Sequence, residues 1–175
     1  MTKLFIVTSL AIVTAGILQA QTSPAGAPTD PQIAMIVVTA DNVDIAGGKL
    51  AAKKSSTPKV KEFAELMVRD HTSVNNQATQ LAKKLNVTPE ESPTSKSLKA
   101  DGAATLSKLR KLSGAEFDKA YTDNEVTYHE TVIKALDDTL IPNAKNAELK
   151  ALLETGKPIF ESHLNHAKEL QTSLK

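Results

Sequence analysis

The sequence predicts an all-α fold: four long helices in a bundle, with one long crossover between the second and the third. Three observations carry this. The 175 residues include 3% aromatics and neither Trp nor Cys, so the core must be built from Leu, Val, Ile, Ala and Met. That is a helix-former composition, and alternating runs of β-branched residues are lacking. Apolar residues instead recur at three- and four-residue steps over four stretches of about 25–28 residues, each about 40 Å long as a helix. A chain of this length can bury one real core.

The first twenty residues are a different object. Lys3 is a minimal positive region, Leu4 to Leu18 is apolar, and Leu18-Gln19-Ala20 ends on a small residue. This predicts a secretory signal peptide, cleaved after Ala20, and a periplasmic or secreted protein starting at Gln21. The apolar run is shorter than the roughly 20 residues a spanning helix needs, so no membrane span is expected in the mature chain. An uncleaved anchor is the alternative. Without Lys3 the chain has 20 basic and 20 acidic residues. That neutrality argues against nucleic acid or anionic lipid as the partner and leaves a protein partner open. An exported chain with no Cys relies on neither disulfides nor thiols. Residues 21–29, "QTSPAGAPT", predict a flexible tether ahead of a bundle domain over residues 30–175.

The first helix starts with Asp30 as the expected N-cap and Pro31 at the first helical position. Ile33, Val37, Ala40, Asp44, Gly47/Gly48 and Ala51 form its inner stripe to about Ser55. The Gly pair predicts close approach of a neighbouring helix, at about 1 kcal/mol of helix propensity per Gly relative to Ala. Thr57-Pro58 restarts the chain. The second helix buries Val60, Phe63, Met67, His71, Val74, Ala78, Leu81 and Leu85. A short helix is expected from about Ser95 to Leu112. "SGAE" at 113–116 predicts a capping box for the third long helix, which reaches about Leu140. "IPNAKN" turns the chain into the fourth, from about Ala147 to Ser173. Pro158 is expected to kink or interrupt that helix. Short links join helices 1–2 and 3–4, whereas almost thirty residues separate helices 2 and 3. That connectivity is the ferritin-like four-helix bundle with a crossover carrying a short extra helix.

Each long helix carries polar residues on its apolar stripe: Asp44; His71; Glu125 and His129; His163. Counted from the turns, Asp44 and His71 differ in height by roughly 5 Å at 1.5 Å per residue. Glu125 and His163 are also nearly level, and His129 is one turn from Glu125. Buried imidazoles and carboxylates need partners. Two readings follow. One is a structural polar layer of His–carboxylate hydrogen bonds, with or without buried water. The other is a metal site, since three imidazoles with one or two carboxylates suit a divalent transition metal: Zn, Cu, Fe or Ni. His166, at the flank of the fourth stripe, is a bland surface residue or an extra ligand.

Several chemistries are unsupported. The di-iron motif Glu-x-x-His is missing, because Val68, Val126, Phe160 and His163 stand three residues before the four His. His129-Glu130 opens like a zinc-protease motif, but Ile133 occupies the second His position. There is neither a Gly-rich phosphate loop nor a Ser in a nucleophile elbow.

The blocks "AGGKLAAKK", "VKEFAELMVRDHT", "LSGAEFDKAY" and "ESHLNHAKEL" resemble, in order, those of the bacterial domain-of-unknown-function family 4142. The similarity covers about residues 31–172. It implies export and a ferritin-like bundle, and no established activity. The family's Asp-His pair corresponds to Asp70-His71, its Phe-Asp-x-x-Tyr block to Phe117, Asp118 and Tyr121, its following His to His129, and its His-Leu block to His163 and Leu164. Its first-helix Glu is Asp44 here, a shorter carboxylate. The expectation is a non-enzymatic exported bundle with a candidate metal centre. The rivals are a structural or interaction module and a ferritin-like redox metalloenzyme.

Overall fold

The computed structural model describes residues 26–174. The expected signal peptide and residues 21–25 of the expected tether lie outside the described residues. The elements are α1 (Asp30–Lys54), α2 (Pro58–Lys84), α3 (Pro93–Lys111), α4 (Gly114–Ala135), a π-helical turn (Leu136–Leu140), the single turn α5 (Ile141–Asn143), and α6 (Ala147–Ser173). There is no strand among the described residues.

Contacts at the two ends fix the topology. At one end, the Thr57 hydroxyl at the start of α2 donates to the Asp118 carboxylate in the first turns of α4, at 2.6 Å. Helices α2 and α4 therefore start together and run parallel. At the other end, the Asp30 carboxylate accepts from the backbone N–H groups of Lys145 and Asn146, each at 2.8 Å. Lys84 pairs there with Glu148. The Glu90 N–H also donates to the Pro31 carbonyl at 3.0 Å, which starts the crossover beside the start of α1. The Lys54 ammonium donates to the Arg110 carbonyl at the opposite end. Helix α3 thus climbs the bundle alongside α1 and returns the chain to the end where α4 begins.

Three local expectations change. Thr29, not Asp30, is the N-cap of α1, with its N–H donating to Gln32 Oε1 at 3.1 Å. The Asp30 carboxylate is drawn instead to the two free N–H groups before α6. Ser113 is the N-cap of α4 but makes no side-chain capping bond. Ser113 and Glu116 are both exposed there, so water can serve the free N–H groups. The interruption expected at Pro158 is absent, and α6 runs unbroken through it. Pro158 and Glu154, whose carbonyl loses its N–H partner, both lie on the solvent face.

The apolar core is divided in two. At the Asp30 end, Ile33, Ile36, Val37, Val74, Leu136, Leu140, Leu153 and Phe160 pack together. At the Thr57 end, Ala51, Val60, Phe63, Met67, Phe117, Tyr121, Ala167 and Leu170 form the second cluster. On each long helix buried polar residues fall between these two sets: Asp41 and Asp44 on α1, His71 on α2, Thr122, Glu125 and His129 on α4, and His163 on α6.

Candidate metal centre

The layer between the clusters contains Asp41 and Asp44 from α1, His71 from α2, Glu125 and His129 from α4, and His163 from α6. All are between 0% and 3% exposed. Helical stepping explains the selection, because each residue is three or four positions from an apolar neighbour that packs above or below it. The five residues singled out in the sequence are thus brought into one layer. His166 is not among them: it is exposed and packs edge-on against Phe63, with ring centroids 5.1 Å apart.

The three imidazoles form a triangle, with ring centroids 5.6 Å (His71–His129), 5.2 Å (His71–His163) and 5.5 Å (His129–His163) apart. Each has one ring nitrogen fixed by an acceptor. His71 Nδ1–H donates to Asp41 Oδ1 at 2.8 Å, and His129 Nδ1–H to the Glu125 carbonyl at 2.9 Å. His163 Nε2–H donates to Asp70 Oδ2 at 3.0 Å. The remaining nitrogens, His71 Nε2, His129 Nε2 and His163 Nδ1, are buried and have no aligned hydrogen-bond partner. Asp44 Oδ2 lies 3.0 Å from His71 Nε2 and 3.5 Å from His129 Nε2, as ion-pair contacts without hydrogen-bond alignment. One potential ligand atom from each of His71, His129 and His163 falls within 4.8 Å of the others, and so does one from each of Asp44, Glu125 and His129.

The electrostatics separate the three rings. Burial pulls His71 down, but the Asp44 and Asp41 carboxylates outweigh it and push the imidazole up to about 10. Burial dominates at His129, which is held below the ordinary range. At His163, burial outweighs the Asp70 hydrogen bond and lowers the ring to about 4. Glu125 is raised well above a normal carboxyl by burial first and then by the Asp44 charge. Asp44 is held low: burial opposes its charge, but His71, His129 and His163 more than compensate. Without metal at neutral pH, His71 is therefore the imidazolium of the layer, His129 and His163 are neutral imidazoles with fixed tautomers, and Asp44 is ionised, while burial favours the protonated form of Glu125.

Two participants were missed in the sequence. Asp41 is 1% exposed and orients His71. Its position, four after Val37 and three before Asp44, puts it on the same stripe, and that signal was readable. Asp70 belongs to the Asp-His pair, but its side chain is 24% exposed and reaches sideways to α6. No periodicity in α2 points to that role. Of the Phe-Asp-x-x-Tyr block, Phe117 and Asp118 lie outside the centre, whereas Tyr121 borders it, its phenol raised by burial first and then by Glu125 and Asp44. Phe117 stacks on Tyr121 at 6.3 Å, Asp118 anchors Thr57, and Tyr121 meets Phe63 edge-on at 6.2 Å.

The family described as Domain of unknown function (DUF4142) matches residues 16–170. The chain belongs to this family. No curated protein and no solved structure matches it. In this DUF4142 chain the Asp-His pair serves two rings at once: His71 faces the layer, and Asp70 holds His163. Among the described residues no helix is long and apolar enough to cross a membrane.

Proposed function

We propose that this DUF4142 protein binds one divalent transition metal through His71 Nε2, His129 Nε2, His163 Nδ1 and the Asp44 carboxylate, with Glu125 beside them. The observation that carries this reading is the arrangement of the rings. Each imidazole donates one N–H to an acceptor and turns the other nitrogen into a shared, buried space; His71 gives up its Nε2 proton when metal takes that position. Orienting acceptors of this kind are the usual outer partners of metal-bound His. Three nitrogens and one carboxylate suit zinc or copper, and the absence of thiolates disfavours softer sites. A cavity of about 230 Å³ under α3 reaches Asp44 and Glu125 and offers an ion a way in. Bound metal would supply a fixed positive charge to a layer that otherwise buries polar atoms without partners. We also propose that the protein is exported, on the pattern of Lys3, Leu4–Leu18 and Ala20.

A second reading has its own support. With His71 charged between Asp41 and Asp44, the layer is a buried ion pair that fixes helix register without metal. One experiment separates the two. Wild type, His71→Ala, His163→Ala and His166→Ala are stripped with chelator and titrated with Zn²⁺ and Cu²⁺ by calorimetry. Wild type and His166→Ala should bind one equivalent with a Kd of about 1 μM or tighter. The other two should lose at least about tenfold in affinity. No saturable binding by wild type, or equal binding by His71→Ala, leaves the ion-pair layer as the answer.

A further inference from the structure

A second feature lies outside the polar layer. A cavity of about 670 Å³ opens at the Asp30 end, among α1, the start of α3, the π-helical turn and α6. Its apolar walls include Ile36, Val37, Leu136, Leu140, Leu153 and Phe160, and no charged side chain among the described residues lines it. The volume falls inside the range of about 300–1,000 Å³ typical of small-molecule sites. Protein interiors pack to the density of organic crystals, and a void this large forfeits dispersion contacts along its whole lining. Water gains little along the apolar part of the lining, because it needs two to four polar partners; these are confined to Gln32, Ser92, Thr94, Thr131, Thr139 and Asn143.

The way the cavity is built points the same way. The π-helical turn widens α4 where Leu136 and Leu140 face the space, and such turns recur at functional sites. Across from it, α6 places Gly156, whose missing side chain leaves room. A Cβ there would meet only Phe160 Cε2, at 3.6 Å. Phe160 forms the inner wall, and its ring lies 5.3 Å from that of His71. Polar groups stand at the rim. The exposed Thr131 donates to the Thr127 carbonyl at 2.8 Å, and Asn143 Nδ2 to the Thr139 carbonyl at 2.7 Å. A guest must therefore be largely hydrocarbon, with no charge inside and at most a neutral oxygen group.

We propose that this cavity is a binding site for one uncharged, mostly hydrocarbon small molecule, of the class of long-chain alcohols, ketones or esters. It is separate from the metal centre, with Phe160 as the shared wall, and does not depend on metal being bound. The test uses the full chain stripped of metal and the uncharged dye N-phenyl-1-naphthylamine. Fluorescence should rise to saturation at one dye per chain, with a Kd of about 1–10 μM. 1-Dodecanol should displace the dye at least about tenfold more effectively than dodecanoate or dodecyltrimethylammonium, because only the alcohol avoids burying a charge. Gly156 and Ala135 both line the cavity, so Gly156→Leu and Ala135→Phe each fill it and should weaken the dye by at least about tenfold with unchanged helical circular dichroism. His166→Ala, remote from the cavity, should bind as wild type. Absence of saturable binding overturns the proposal. So does wild-type affinity in whichever filling variant folds, or equal competition by the charged amphiphiles.

Discussion

Asp41 orients His71, the imidazole that its surroundings raise. Its carboxylate fixes His71 Nδ1 at 2.8 Å and so aims Nε2 toward Asp44. Asp41→Ala should leave the helices intact and weaken Zn²⁺ by about 10- to 100-fold, the usual effect of losing an orienting partner; competition against a chromophoric chelator measures it. The pH dependence of the metal-free chain follows from the same geometry, with opposite signs at two rings. His71 is raised from 6.5 to about 10, so its contribution is full below pH 6.5 and is lost as pH rises toward 10. His163 is lowered from 6.5 to about 4: the unfolded chain takes up a proton that the native chain refuses, so stability is lost as pH falls from 6.5 toward 4. Urea unfolding across pH 4–10 should show wild type losing stability relative to His71→Gln on the alkaline side, and relative to His163→Gln on the acid side. Parallel curves for wild type and either variant would mean that its ring does not titrate in this way. The inward placement of both rings was legible from three- and four-residue stepping. Their opposite charge states were not, because these depend on which carboxylates neighbouring helices deliver.

At the scale of one helix, the Gly47–Gly48 pair separates into two roles. A Cβ on Gly48 would come within 2.8 Å of the Ala64 carbonyl and 2.9 Å of Val68 Cγ2, so α1 and α2 are in close backbone contact there. On Gly47 it would meet Glu125 Oε1 at 3.7 Å, an ordinary contact. Gly48→Ala should therefore cost about 1–3 kcal/mol through overpacking. Gly47→Ala should be neutral or stabilise by up to about 1 kcal/mol through helix propensity. Equilibrium denaturation of the two variants checks this, and equal effects would remove the assigned close approach. Gly102 on α3 has the same role as Gly48, since its Cβ would fall 2.6 Å from Val43 Cγ2 and hold the crossover off α1. The Gly pair was readable as a contact signal. Gly102 was not, because the sequence does not say which face of α3 meets α1. The π-helical turn was hidden for a related reason: Leu136–Leu140 continues the apolar pattern of α4, and only its packing at the cavity distinguishes it.

For the whole molecule, the parallel course of α2 and α4 is the testable consequence of the crossover. Spin labels at Lys59 and Lys119, one near the start of each helix, should lie well under half of the roughly 40 Å helix length apart. A separation near the full length would require a different topology. The bundle also joins two apolar clusters through a polar layer, so metal bound only by the native chain should stabilise both together. The melting temperature should rise with the logarithm of free Zn²⁺, and removing the metal with chelator should reverse it. A melting temperature independent of Zn²⁺ would contradict the proposed centre.

The sequence by itself determined the helices, their order and the long crossover. These rest on local periodicity and link lengths, which the order of residues along the chain carries directly. It also determined that Asp44, His71, Glu125, His129 and His163 face inward at similar heights. Only the tertiary structure decided what each of them meets. The acceptors are Asp41 from another helix for His71, the Glu125 carbonyl from the preceding turn for His129, and Asp70 from α2 for His163. Two of those three bonds cross between helices, where small rotations about the helix axes choose the partner. The large apolar cavity is likewise a gap between elements, and no single element's pattern encodes the space its neighbours leave unfilled.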